Sequence, residues 1–264
     1  MNKLALSIAM ASMFGPVAAH AFDSVWSAQA GMAYEQLEEV STMGARLVEE
    51  TGWQPYLELG NLTRLPAGAV RTRVLVSGGA LDYAGLTQAG GPFDSSTDYR
   101  RARLSVAYAY PVSTALEIGG GIEAEWLERD VQGRGLVSGI EEEYRFQRLF
   151  VRLGYAFQAF GRDTRLELDG IGGIGGSQEV YSPGVIDRVG LDLGDTYGVR
   201  AALAFPLGRP VADGLSWTLA PHIEYFHSDR SDNRPWLRNG LYQGVVAQPE
   251  TRRWQVGIGL RANW

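Results

Sequence analysis

The last eleven residues of the chain alternate strictly between two kinds of side chain. The even positions from Trp254 to Trp264 are apolar, and the odd positions from Gln255 to Asn263 are polar or glycine. An alternation with period two predicts a β-strand with one apolar and one polar face. About nine to eleven residues suffice for a tilted strand to cross a bilayer, and aromatic residues favour the two interfaces. The pattern therefore predicts a membrane-spanning strand.

The same alternation recurs along the chain and predicts ten strands in all. They cover residues 26–38, 53–65, 70–83, 101–110, 116–127, 143–157, 165–176, 196–205, 215–226 and 254–264. Short turns near residues 66, 111, 160 and 207 alternate with longer loops near 40, 85, 130, 180 and 230. This asymmetry is typical of membrane barrels, in which an even strand number puts both chain ends on one side. We expect an all-β protein: a closed antiparallel transmembrane β-barrel of about ten strands, with eight or twelve as alternatives.

The terminal strand, which stops on Trp264, resembles the last strand of bacterial outer-membrane β-barrels. In that class the final aromatic residue commonly serves as an assembly signal, and the resemblance implies this role for Trp264. The polar, glycine-rich stretch 81–99 is similar to an external loop of uncharacterised outer-membrane barrels of proteobacteria. The resemblance further implies a monomer in the outer membrane of a Gram-negative bacterium, with membrane lipid and the barrel assembly machinery as partners.

The first residues have the three parts of a secretory signal peptide. Lys3 supplies the positive start, Leu4–Val17 the apolar segment, and Ala19–Ala21 a small-residue cleavage pattern. We expect cleavage before Phe22. This divides the chain into a signal peptide at residues 1–21 and a barrel domain at residues 22–264.

The composition narrows the class of function. The formal net charge is −6 and the chain has no cysteine. The acidic balance argues against a nucleic-acid partner, and the lack of cysteine excludes disulfides and thiolate metal ligands. After the leader no long uncharged apolar run appears, which excludes helical membrane spans. Nothing in the sequence indicates a cofactor.

The face of each strand opposite to the apolar one carries most of the charge. We expect these side chains to form a charge network in the lumen, with the members Arg101, Arg103, Glu117, Glu123, Glu125, Arg148, Arg152, Arg200, His222, Glu224 and Arg261. The glutamates of the fifth strand lie between the arginines of the fourth and sixth, so opposite charges can pair across neighbouring strands. A barrel of this size has little free lumen, and we expect at most a narrow polar passage.

The predicted fold allows two functions that involve no catalysis. The protein either has a structural role and interacts with other molecules through its external loops, or it passes a small solute through its lumen in a porin-like manner. Fold class alone does not choose between them.

An outer-membrane enzyme is the alternative, and it would use His222 or His227 with nearby acids. Ten strands are also the strand count of the omptins, proteases whose site sets two aspartates in one external loop against Asp-x-His in another. Around His227 this motif is absent, although Asp82, Asp94 and Asp98 supply carboxylates in the second loop. The correspondence is therefore poor.

Lipid A hydrolases of the outer membrane are a second comparison, because they use histidine and serine at the lipid surface. The pair His227-Ser228 lies near the predicted rim, whereas His222 faces inward in our register. The histidines and scattered acids have no recognisable metal-ligand spacing. We therefore expect no enzyme and interpret His222 and Glu224 as polar groups of the lumen.

Overall fold

The computed structural model describes residues 23–86, 90–208 and 214–264. The predicted signal peptide lies outside these residues. The described part of the chain forms strands β1 (Ser24–Val40), β2 (Arg46–Leu65), β3 (Gly68–Leu86), β4 (Pro92–Pro111), β5 (Leu116–Val131), β6 (Ile140–Ala159), β7 (Arg162–Ser182), β8 (Ile186–Asp192), β9 (Thr196–Pro206), β10 (Ser216–Ser228), β11 (Arg234–Arg238), β12 (Leu241–Val246) and β13 (Glu250–Asn263). In the same residues no helix is long and apolar enough to cross a membrane.

Ten of these strands close into a barrel. Each pairs antiparallel with its neighbour along the chain, in the order β1 to β7, β9, β10 and β13, and β13 returns to β1. The closing register runs from Ser27 opposite Asn263 to Val40 opposite Glu250. Closure leaves no unpaired edge, which the absence of water in a bilayer core requires. The predicted closed antiparallel barrel of about ten strands is confirmed.

Alternation along the strands separates an outer apolar surface from a polar interior. On β13 the side chains of Val256, Ile258 and Leu260 are exposed on the outside, and those of Arg253 and Gln255 are buried inside. A surface that faces hydrocarbon needs this arrangement, because a charge there costs about 2 to 4 kcal/mol at the midplane. The outward and inward faces follow the period-two pattern of the sequence.

Exposed aromatic side chains mark the two limits of the outer apolar band. At the limit nearest the short turns they are Trp26, Tyr110, Tyr155, Trp217 and Trp264. At the other limit Tyr34 packs against Trp53, with ring centroids 5.5 Å apart, and Tyr225 packs against Trp254 at 4.5 Å. Beyond this girdle the outward positions become charged; on β5, for example, Trp126 is followed by Glu128 and Asp130. The strands connected by long segments therefore continue into water at this end, which we term the external end.

The opposite end, which we term the periplasmic end, carries short turns and both ends of the barrel sequence. Turns connect β2 to β3, β4 to β5 and β6 to β7 where the sequence predicts them. The third turn consists of Phe160 and Gly161 with φ of 51° and 72°. In a two-residue hairpin loop, two adjacent residues with positive φ form a turn whose twist matches the right-handed twist of the two strands that it joins. The fourth predicted turn, near residue 207, includes residues outside the described ranges.

The external connections are shorter than the sequence suggests. Residues 81–99, predicted as a long loop, belong mostly to β3 and β4, and Gly52 lies inside β2 rather than in a loop. The predicted loops near residues 180 and 230 contain the strands β8, β11 and β12. Above the membrane the outward side chains face water, so the apolar alternation disappears while the backbone pairing continues. Sequence pattern cannot distinguish such a strand from a polar loop.

The interior of the external end holds a hydrophobic core. Its buried members are Leu81, Tyr99, Leu127, Tyr144, Phe146 and Phe226. The rings of Phe146 and Phe226 meet edge to face, with centroids 5.5 Å apart. This core packs the extended strands against one another above the membrane.

Candidate functional site: the charged lumen

Arg148 on β6 lies at the centre of the lumen, and its side chain is fully buried. It donates hydrogen bonds to Glu123 at 3.0 Å and to Glu125 at 3.2 Å, both on the adjacent β5. The guanidinium carbon lies 3.9 Å from the ring centroid of Phe226 and 4.6 Å from that of Phe146. A planar guanidinium makes both kinds of contact because its donors lie in the plane and its faces are apolar.

Glu224 on β10 forms ion pairs that cross the lumen. Arg103 on β4 donates to both oxygens of Glu224, at 2.9 and 2.8 Å, and its Nε donates to Glu125 at 2.9 Å. Arg253 on β13 bridges the same two carboxylates, at 3.0 Å from Glu125 and 3.2 Å from Glu224. In the ring of strands β4 is opposite β10, and β5 is opposite β13. The pairs Arg103–Glu224 and Arg253–Glu125 therefore connect opposite walls through the lumen, whereas the other two pairs join adjacent strands.

Two further arginines extend this layer towards the periplasm. Arg200 on β9 donates to Glu224 at 2.7 Å, to Glu123 at 3.1 Å and to Asp169 at 3.3 Å. Arg152 on β6 makes a two-pronged pair with Asp169, at 2.6 and 2.7 Å. Every guanidinium in the layer has a carboxylate partner, as buried charges require. We refer to the layer formed by Arg103, Glu123, Glu125, Arg148, Arg152, Asp169, Arg200, Glu224 and Arg253 as the central network.

The remaining predicted lumen residues lie around this network. Arg101 donates a hydrogen bond to Glu35 on β1. Towards the periplasm, Glu117 accepts a hydrogen bond from Arg165. The Nε of Arg261 donates a hydrogen bond to Gln29 at 2.8 Å. His222 points into the lumen, where its ring meets Tyr56 edge to face, with centroids 5.4 Å apart.

A separate charged cluster lies inside the external end, above the hydrocarbon band. Arg129 on β5 donates to Glu39 at 2.9 Å, to Glu50 at 2.8 Å and to Glu142 at 2.6 Å. One guanidinium thus faces three carboxylates. Burial raises the pKa of Glu142 to about 7. The positive charge of Arg129 lowers this pKa, and the negative charges of Glu39 and Glu50 raise it.

The inward charges that are buried or half-buried in the described strands balance in number but not in position. The arginines are Arg71, Arg73, Arg101, Arg103, Arg129, Arg148, Arg152, Arg165, Arg200, Arg253 and Arg261, and the carboxylates are Glu35, Glu39, Glu50, Glu58, Glu117, Glu123, Glu125, Glu142, Glu167, Asp169 and Glu224. The external cluster has an excess of two carboxylates. The central and periplasmic parts of the lumen therefore have an equal excess of arginine.

Small cavities lie on both sides of the central network. One of about 70 Å³ is lined by Tyr56 and His222 among others, on the periplasmic side. One of about 20 Å³ lies on the external side against Leu193 and Phe226. Arg148 lines neither cavity, and its burial is complete. The charged layer thus separates the two spaces.

Several lumen charges were missing from the sequence-based set. Arg253 comes one residue before the predicted start of the last strand, and Arg129 comes two residues after the predicted end of the fifth. Arg71 and Asp169 lie within predicted strands, at inward positions of the alternation. Extending the same parity across and beyond each predicted strand would have found all four, because the backbone pairing continues past the apolar band.

His222 and His227 lie on opposite faces of β10. His227 points outward, where it stacks on Tyr197 with ring centroids 4.5 Å apart. Its Nε2 is 2.8 Å from Asp229 and its Nδ1 is 3.8 Å from Glu250. Ser228 is buried on the inward side, and its hydroxyl contacts the carbonyl of Asp229. In the described residues no serine hydroxyl is hydrogen-bonded to either histidine.

The structure does not bring the acids of the second predicted loop to His227. Asp82 is exposed on β3, and Asp94 and Asp98 lie on the adjacent β4. These aspartates and His227 all point outward, and between β3 and β10 the ring contains β2, β1 and β13. An omptin-like pairing of these aspartates with His227 is therefore not formed. Nor do the described residues contain a group of three or more histidine, aspartate or glutamate side chains able to hold a metal ion.

Trp264, the predicted assembly signal, ends the barrel at the periplasmic side. Its backbone N–H donates to Trp26 at 3.0 Å and its carbonyl accepts from Trp26 at 2.9 Å. Trp264 is 54% exposed. The role in assembly stays a prediction.

The closed ring, the aromatic girdles and the charged lumen define a transmembrane β-barrel of the outer-membrane class. Several solved structures are similar to this chain, and the first of them has the same fold. The outer membrane protease OmpT from Escherichia coli matches with a TM-score of 0.55 at 10% identity, over 93% of this chain and 99% of that chain. The translocator domain of the autotransporter NalP from Neisseria meningitidis matches with a TM-score of 0.48 at 10% identity, over 96% of each chain. Neisserial surface protein A gives 0.39 at 10% identity, over 89% and 95%. No family model and no curated protein sequence matches the chain.

Proposed function

We propose that this protein is a barrel closed to solutes, which serves as a structural, surface-interacting component of the outer membrane. The observation that carries the proposal is the central network, whose ion pairs connect opposite walls of the lumen around the fully buried Arg148. Removing one partner from a buried ion pair costs about 3 to 5 kcal/mol, because it leaves the other charge buried without a partner. A passing solute would have to part several such pairs together, so the closed state is strongly favoured.

The rest of the cellular context belongs to the same proposal. The chain is exported by a signal peptide cleaved before Phe22, inserted as a monomer by the barrel assembly machinery, and surrounded by outer-membrane lipid. The outward apolar band between two aromatic girdles supports the contact with lipid.

Conductance through planar lipid bilayers tests closure. We expect the wild-type barrel to show no large, steady conductance. Arg148→Ala removes the central guanidinium and should produce discrete openings, because it leaves Glu123 and Glu125 short of a partner in a newly hydrated space. Arg145→Ala is the matched control, since Arg145 lies on the same strand but points outward and pairs with Glu143. A large, steady wild-type conductance would refute the proposal and favour solute passage.

The outer wall of the external end supports interaction with basic partners. A concavity of about 280 Å³ lies across β4 to β8, above the girdle. Its outward carboxylates are Asp98, Glu128, Asp130, Glu141, Glu143 and Glu179. Among the outward residues that line the concavity only Arg100 and Arg188 are basic, and beside it Arg145 on β6 pairs with Glu143. Such a single-sign field attracts ligands of opposite charge and accelerates their encounter. We refer to this set of residues as the acidic wall.

A further inference from the structure

Four arginines converge on three carboxylates where the lumen opens to the periplasm. Arg71 and Arg73 on β3 both donate to Glu167, from across the barrel. Arg165 donates to Glu117 and, at 3.3 Å, to Glu167. Arg261 on β13 has its nearest carboxylate, Glu58, only at 3.7 Å. The mouth therefore has a formal charge of one positive unit, and the central network above it adds another.

Most donors of these four side chains have no acceptor in the described protein. Each guanidinium has five N–H groups. Together the four make five hydrogen bonds to protein acceptors: one each from Arg71, Arg73 and Arg261, and two from Arg165. All four are largely shielded, with side-chain exposure of 13% to 30%. A partly buried positive excess is costly unless an anion or water balances it.

The mouth also has room for a ligand. A cavity of about 150 Å³ is lined by the four arginines Arg71, Arg73, Arg165 and Arg261, by one carboxylate, Glu167, and by neutral side chains such as Asn61. A water needs about 10 to 15 Å³ of such volume, so the space exceeds one water roughly tenfold. The central network closes it on the external side, which leaves the periplasm as the side of entry.

We infer that this periplasmic mouth is a binding site for a small oxyanion, either a phosphate group or a carboxylate. Guanidinium forks match the paired oxygens of both groups, and several forks around one cavity can hold one anion from different sides. An anion bound in this site balances the excess positive charge of the arginines at this end of the lumen. The site is independent of closure: a conducting barrel would refute the proposed function and leave this site intact.

Calorimetric titration of the detergent-solubilised barrel with inorganic phosphate, in low-chloride buffer at pH 7, tests the site. We expect saturable binding to one site. Arg261→Gln should weaken it at least tenfold, because it removes the guanidinium with the fewest protein partners. Glu58→Gln should tighten it at least threefold, because it doubles the positive excess. A merely structural role of these residues would weaken binding in both variants, or in neither.

Arg64→Gln is the matched control, because Arg64 is an exposed arginine at the same end that pairs with Asp23 instead of facing the cavity. It should bind phosphate like the wild type. No saturable binding, or equal affinity of Arg261→Gln and Arg64→Gln, overturns the inference. Gel migration with and without heating verifies that each variant is folded.

A second measurement needs no variant. Phenylglyoxal modifies arginine, and peptide mass spectrometry locates the modification. Phosphate should protect Arg71, Arg73 and Arg261 in the wild type and leave Arg64 unprotected; equal labelling with and without phosphate overturns the site. Glycerol phosphate and a short peptide with a free carboxyl terminus then compete in separate titrations. The tighter ligand identifies the natural source of the oxyanion, and binding of neither overturns the inference.

Discussion

Replacement of Glu142 by glutamine tests the uneven charge of the lumen in the clearest way. Burial raises the pKa of Glu142 to about 7, from the ordinary value of 4.5 that it regains in the unfolded chain. A raised acid pKa means that the folded state holds the proton more tightly. Its stabilising contribution is complete below pH 4.5 and is lost as the pH rises through 7.

The linkage relation gives the size of this effect. Between pH 5 and pH 8 the folded state loses about 2 to 3 kcal/mol from this one group. The glutamine keeps the side-chain shape and the hydrogen-bonding oxygen but does not titrate. Arg129 retains Glu39 and Glu50 as partners in the variant, so no buried cation is left unpaired.

Equilibrium unfolding in urea, followed by tryptophan fluorescence in lipid vesicles, measures the free energy of unfolding at both pH values. We expect the difference between Glu142→Gln and wild type to shift by about 2 to 3 kcal/mol in favour of the variant from pH 5 to pH 8. Glu143→Gln is the control, since Glu143 points outward and pairs with Arg145. If the difference does not change with pH, or changes equally in the control, the argument for a proton-binding external cluster is wrong.

Two predictions concern the surfaces. Replacing Glu128, Glu141 and Glu143 together by glutamine should weaken binding of a fluorescent polyarginine peptide to the barrel in vesicles at least fivefold. Raised salt should weaken binding to the wild type in the same way. Unchanged affinity would exclude the acidic wall as the surface that binds basic partners. Trp264→Ala should reduce the folded outer-membrane fraction severalfold, measured by heat-dependent gel migration, with Trp217→Ala as the control; an equal loss in both would show a general girdle effect and no assembly signal.

The alternation of side chains was sufficient to predict the fold class and most strand centres. Val256, Ile258 and Leu260 specify the outer face of β13 locally, because side chains of a strand point alternately to its two sides. Arg103, Glu125 and Arg148 were assigned to the lumen on the same basis. The strand ends were predicted less well: β3 and β4 continue through most of residues 81–99, where water outside the barrel removes any requirement for apolar residues.

The contacts between charged side chains in the lumen can be predicted from sequence only in part. Neighbouring strands can be paired from sequence order, and this suffices for Glu123 with Arg148. The contact of Arg103 with Glu224 depends on the number of strands in the ring and on their stagger, which place β4 opposite β10. The excess of carboxylates around Arg129 follows from the same geometry.

The sequence by itself determined that this chain forms strands with one face for hydrocarbon and one for charge, because that information is local and repeats every two residues. Only the tertiary structure decided that ion pairs connect opposite walls of the lumen, that its external end is acidic and that its periplasmic mouth has an excess of arginine. These features depend on distances across a closed ring, and residues as far apart as Arg103 and Glu224 acquire such distances only when the first strand pairs with the last.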